Sequence, residues 1–222
     1  MKERGMIFNG EMVRAILDGR KTQTRRIIKD CSVGRDPISK FIQIGKKFIG
    51  CYPEDVPELI RECCPFGAVG DRIWVRETWA DVNHDGCPAV AYRADGEVRD
   101  LHEDDGDEDD PRLEKYWFAA WYPDLISGTE GKWTPSIHMP RWASRITLEI
   151  TDVRVERLNG ISDENARAEG CAGGHDSIPD YHYSATPHEH FRHVWTSIYG
   201  EEGWSSAWVW VIEFSRVDGG AA

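Results

Sequence analysis

The sequence predicts an α+β fold, a small curved sheet or barrel flanked by short helices. Three observations predict it. Ile146, Leu148 and Ile150 alternate with Thr147, Glu149 and Thr151, the two-residue period of a half-buried strand. Three short segments carry helix start and stop signals. The other β-branched and aromatic stretches are short and separated by Gly- and Pro-containing turns.

In chain order, residues 9–19 read as a short helix. Asn9 is its N-cap, Met12, Val13, Ile16 and Leu17 form its apolar face, and Gly19 is the left-handed residue past its end. Residues 20–28 are extended, polar and basic. Turn chemistry over 64–71 leads into a strand over 72–79, and residues 89–94 form a second short strand. Residues 133–142 read as an ordered loop anchored by Trp133 and Trp142. The strand beginning at Ile146 changes phase around Asp152 before Val153 and Val155, which predicts a bend or bulge. A helix follows over 162–170, with Ser162 as N-cap and Gly170 as stop, and then a Gly-, His- and Tyr-rich loop over 171–185. Thr186-Pro187-His188-Glu189 is a capping box with Pro at the first helical position. Phe191, Val194, Trp195 and Ile198 then follow the spacing of a core-facing helix that Gly200 ends. Residues 208–214 are a last strand, and 217–222 read as a frayed tail.

The 222 residues hold 27 Lys+Arg against 39 Asp+Glu, a net charge of -12. Such a chain is a poor indiscriminate binder of nucleic acid, because that binding rests on neutralising phosphates. The charge is unevenly spread. Residues 100–110 hold eight acids and no base, and read as a solvated loop. Residues 1–30 hold eight bases and four acids. No apolar run approaches the roughly 20 residues of a membrane span, and the N-terminus lacks the apolar stretch of a signal peptide. A cytoplasmic protein is expected. The six cysteines form no C-x-x-C pair and read as buried small hydrophobes. His175, His182, His188, His190 and His193 lack recognisable ligand spacing and read as solvated, so no metal and no cofactor are expected.

Gly19-Arg20-Lys21-Thr22-Gln23-Thr24-Arg25-Arg26 resembles the marker of the ASCH domain family of PUA-like β-barrels: a Gly, a Lys two places on, and an Arg five beyond, met by Gly19, Lys21 and Arg26. The resemblance extends in order through the Gly70-Asp71 turn, the strand from Leu148 to Val153 and on to Leu158, the helix from Ser162 to Glu169, and the closing strand at Val211–Phe214. It implies an ASCH-type PUA-like barrel over 1–222, as one domain with insertions at about 30–68 and 80–140. The small bacterial N4-acetylcytidine amidohydrolases of this family use a Lys-Thr-Glu triad. Its positions are matched here by Lys21, Thr24 and Glu169. This chain is about twice their length, and its longer Trp-rich form looks like ASCH proteins of phages and prophages.

What the resemblance implies is amide hydrolysis of a modified pyrimidine nucleoside. Lys21 would take the Thr24 proton during attack on the acetyl carbonyl, and Glu169 would hold Lys21 or protonate the departing amine. In a regular strand, residues 21 and 24 point to opposite faces, so this requires a turn or irregular backbone between them. Arg25 and Arg26 supply positive charge, while Trp79 and Trp142 can stack a base. Gly19, Arg76 and Glu77 complete the candidate binding set, with a surface ion pair as the plainer reading of the last two. The alternatives are a non-catalytic module that binds RNA or a modified base, and a ribonuclease. The expected partner is a nucleoside or short RNA; no protein partner and no membrane are implied.

Overall fold

The computed structural model describes residues 1–28, 31–33, 40–44, 47–51, 64–101, 119–204 and 207–217. Most of the acidic run at 100–110, most of the insertion at 30–68 and all but the first residue of the tail at 217–222 lie outside the described residues. The chain is α+β and rich in strands. No described helix is long and apolar enough to cross a membrane.

Eleven strands are described: β1 (Glu3–Ile7), β2 (Gln23–Ile27), β3 (Cys31–Val33), β4 (Lys40–Ile44), β5 (Lys47–Cys51), β6 (Arg72–Arg76), β7 (Trp79–His84), β8 (Cys87–Tyr92), β9 (Val98–Asp100), β10 (Thr147–Arg157) and β11 (Trp208–Val217). The four described α-helices are α1 (Gly10–Leu17), α2 (Tyr122–Ser127), α3 (Asp163–Ala168) and α4 (Pro187–Tyr199). The strands form three sheets, ordered β1-β6-β10-β11-β2, β3-β4-β5 and β7-β8-β9, and no closed barrel is found among the described residues. The chain divides into two compact units. One holds residues 1–4, 15–73 and 148–216; the other holds 5–14, 74–147 and 217–222.

In the first unit, β11 pairs antiparallel with β2, setting Val211 opposite Arg25 and Ile212 opposite Thr24. Opposed residues share a face. Val209 and Val211 therefore join Leu158, Ile161, Ala166, Cys171, Phe191 and Trp195 in a core against α3 and α4. Both helices start as predicted. Ser162 Oγ accepts from Asn165 N at 3.2 Å, and Thr186 and Glu189 exchange the two hydrogen bonds of a capping box. Ile198 departs from the expected core face and is 48% exposed, because the core of α4 ends at Trp195. The predicted bend at Asp152 lies within a strand that runs unbroken to Arg157, although the buried positions change phase between Ile150 and Val153.

In the second unit, β7 and β8 pair so that Trp79 faces Tyr92 and Ala80 faces Ala91. Both faces are covered. Trp79, Val90 and Tyr92 pack with Leu101, Met139 and Ala143, while Ala80, Val82, Ala89 and Ala91 pack with Leu125. The single strand expected over 72–79 is two strands. Val75 N donates to Ile146 O, whereas Trp79 exchanges backbone bonds with Thr134. The change of partner across Glu77 and Thr78 ends β6 and begins β7. The predicted loop at 133–142 contains two 3-10 turns, Ser136–His138 and Arg141–Ala143, and is held by buried Met139 and Ala143, with Trp142 exposed at its surface.

Candidate functional site

The site in the first unit forms where the start of β2 meets the end of α3. Thr22 N donates to Ala168 O at 2.8 Å, and Phe214 N donates to Thr22 O at 2.9 Å. The backbone is thus pinned on both sides just after Lys21, which itself bridges Glu169 in antiparallel fashion. Gly19 is in the left-handed conformation and donates to Ile16 O, ending α1 as its position predicts.

Lys21 Nζ donates to Glu169 Oε2 at 2.7 Å and to the Glu169 backbone oxygen at 2.8 Å. The second bond satisfies a carbonyl at the C-terminal end of α3, where a cation is also favoured by the helix dipole. The other carboxylate oxygen, Oε1, accepts from Arg25 Nη1 at 3.0 Å. Arg25 Nη2 donates to Glu156 at 2.8 Å, and Arg154 Nε donates to the second oxygen of Glu156 at 2.6 Å. Arg154 also bonds Glu213 and Gln23. The side chains of Lys21 and Arg25 are fully buried, and that of Glu169 is 4% exposed. Burial alone would raise the Glu156 carboxyl; the hydrogen bonds from Arg154 and Arg25 together outweigh it and hold Glu156 below the usual carboxylate range.

The sequence predicts an extended, polar, basic segment at 20–28. Within it Lys21, Gln23, Thr24 and Arg25 are all buried. Gln23 reaches α3 through Asn165 and β10 through Arg154, and Arg25 reaches Glu169 at the end of α3 and Glu156 on β10. Strand alternation then sets Thr24 on the opposite face, with Ile212 as its cross-strand partner. No hydrogen bond among the described residues links Thr24 to Lys21 or Glu169. The structure brings Lys21, Arg25 and Glu169 together. Arg26 is half-buried and stands opposite Trp210.

Arg76, Glu77, Trp79 and Trp142 belong to the second unit. Arg76 and Glu77 do not pair with each other. Arg76 lies over the Trp74 ring, 5.3 Å from its centroid, and donates to Ile137 O. Glu77 is buried and takes two bonds of 2.9 Å from Arg145, which also holds Asp95 and Glu97 and lies over the Tyr92 ring. Burial pushes the Glu77 carboxyl up, and Arg145 offsets this only in part. Burial likewise pushes the Tyr92 phenol up to about 12. Trp79 and Trp142 meet edge to face at 5.8 Å.

Arg145, Arg154, Glu156 and Glu213 carry these networks without standing out in the sequence. Arg154 and Glu156 share one face of β10, and their i, i+2 spacing is the single local signal. Arg145 gives none, because Glu77 lies 68 positions away. Cys64 and Cys171 are buried and Cys87 is half-buried. His175 and His182 are exposed, His188, His190 and His193 are half-buried, and no group of three metal-ligating side chains that could hold an ion occurs among the described residues.

Comparisons of the chain with family models, curated proteins and solved structures gave no significant match.

Proposed function

We propose that the chain is a hydrolase of N4-acylated cytidine, built on an ASCH-type PUA-like barrel, with Lys21 and Glu169 as its acid–base couple. One observation carries this reading. The two residues that the family resemblance selects from opposite parts of the chain meet in a buried 2.7 Å hydrogen bond. The phage or prophage character and a cytoplasmic setting belong to the same reading.

A proton moved along that bond leaves a neutral amine on Lys21 and a neutral acid on Glu169. The amine accepts the proton of an attacking hydroxyl as its oxygen bonds to the acyl carbon. The Glu169 acid then protonates N4 as the C–N bond breaks. Cytidine and the carboxylic acid leave, and the charged pair is restored. Arg25 positions Glu169 by occupying its other oxygen. With Thr24 on the opposite face of β2, water is the attacking hydroxyl in this scheme.

Purified protein is incubated with N4-acetylcytidine and the products are separated by chromatography. Release of cytidine and acetate, falling about 10²-fold or more in Lys21→Met and Glu169→Gln, is the expected result. Thr24→Val retains turnover within tenfold if water attacks, and its loss would assign the nucleophile to Thr24. A second reading, a binding module, is favoured by the fact that both oxygens of Glu169 are already occupied. Retention of the nucleoside or of a short RNA without any product supports that module and overturns the hydrolase. Cleaved RNA would point to the ribonuclease instead.

A further inference from the structure

The second unit contains a cavity of about 280 Å³ lined by Gly10, Arg14, Thr78, Arg93 and Ala94. None of the five is acidic, and two carry a fixed positive charge. The Arg14 guanidinium is held by a hydrogen bond, and that of Arg93 lies against an aromatic ring. Arg14 Nη1 donates to Ala94 O at 2.6 Å, and a Cβ on Gly10 would lie 3.6 Å from that same nitrogen. Arg93 lies over the Trp133 ring, 6.0 Å from its centroid, and its backbone N donates to Thr78 O at 3.0 Å. The acids that follow Arg93 in the chain, Asp95 and Glu97, are taken up by Arg145. An arginine anchored through one nitrogen keeps further N–H donors for a second acceptor. Arg14 held in this way, with Arg93 and Thr78 around the same concave space, suits an oxyanion with several acceptor oxygens.

We propose that this cavity binds a phosphate group, with Arg14 and Arg93 as its charged donors and Thr78 as a neutral one. Its volume falls just below the range of small-molecule pockets, roughly 300–1,000 Å³, so the ligand is free phosphate or the phosphomonoester end of a mononucleotide. The inference stands apart from the Lys21–Glu169 chemistry, since neither arginine takes part in that pair.

The test is calorimetric titration of the full chain with inorganic phosphate, with cytidine 5′-monophosphate and with cytidine, at ionic strength matched with sodium chloride. Phosphate and the nucleotide should bind, and Arg93→Gln and Arg14→Gln should each weaken that binding tenfold or more. Thr78→Val should weaken it less. The Arg14 variant also loses the bond to Ala94, so the Arg93 and Thr78 variants, checked for an unchanged melting temperature, carry the decision. Tighter arginine-dependent binding of the nucleotide than of phosphate identifies a nucleotide site, and equal binding identifies a free-phosphate site. Phosphate binding no stronger than chloride, or binding undiminished in Arg93→Gln, overturns the proposal. Assays of N4-acetylcytidine hydrolysis have no bearing on that outcome.

Discussion

Lys21 Nζ and Glu169 Oε2 stand 2.7 Å apart with 148 positions of sequence between them, and Lys21 also donates to the Glu169 backbone oxygen. The second bond fixes where the amine sits, and the first fixes what it faces. Both groups have left water, so each depends on the other for compensation.

The losses on removing the two members of this pair are therefore expected not to add. Lys21→Met leaves Glu169 buried with Arg25 alone, and a loss of about 3–5 kcal/mol is expected for breaking a buried pair from one side. The double variant Lys21→Met/Glu169→Gln removes the stranded charge and should lose clearly less than the two single losses combined. Urea denaturation of the four proteins measures this. Single variants within about 0.5 kcal/mol of wild type, the range of ordinary surface substitutions, would show that the pair does not hold the fold.

Gly170 sets the geometry of that pair from behind. Its φ is +93°, and a Cβ there would lie 2.9 Å from Ala15 Cβ and 3.4 Å from Lys21 Cβ. Gly170→Ala should destabilise the chain by at least about 1–2 kcal/mol, the usual penalty of a left-handed backbone for a residue with a Cβ. If the hydrolase reading holds, it should also slow turnover by displacing Lys21. A melting temperature equal to wild type would contradict the close approach.

Glu156 gives the network a pH signature. Its carboxyl is held below the ordinary 4.5, because hydrogen bonds from Arg154 and Arg25 outweigh the effect of burial. The unfolded chain therefore takes up its proton first on acidification. The stability Glu156 contributes is fully present above pH 4.5 and is lost as the pH falls through the lower folded value. Comparing wild type with Glu156→Gln by denaturant titration at several pH values should give a constant gap above pH 4.5 that closes below it. A gap independent of pH would show that the two arginines do not act on this carboxylate.

The parts of the fold that were legible in the sequence are those governed by neighbours in the chain. The capping box at Thr186 and Glu189, the N-cap at Ser162, the alternation from Ile146 to Ile150 and the left-handed Gly19 each need only a few adjacent residues to be recognised. Burial of Lys21, Gln23 and Arg25 was not legible. Charged residues are interior only when distant partners complete them, and here Glu156, Glu169 and Asn165 come from 131 to 148 positions away. The same reason hid Arg145 from the Arg76-Glu77 pair. The meeting of Lys21 with Glu169 was expected through the family resemblance, since no local pattern links them. Ile198 failed differently: it kept the helical spacing, but the core it would face stops one turn earlier.

Glu77 provides the opposite pH test to Glu156. It is 1% exposed, and burial raises its carboxyl above the ordinary 4.5 although Arg145 grips both of its oxygens. The folded chain now binds this proton more tightly than the unfolded one, so stability falls as the pH rises from 4.5 through the raised folded value. Glu77→Gln removes that dependence while Arg145 keeps Asp95 and Glu97 as partners. The gap between wild type and Glu77→Gln should therefore move in the variant's favour with rising pH across this window and stay constant above it. Denaturant titrations from pH 4 to pH 8 read the change. A gap that moves in favour of wild type would mean that Arg145 outweighs burial and that this carboxylate is held ionised.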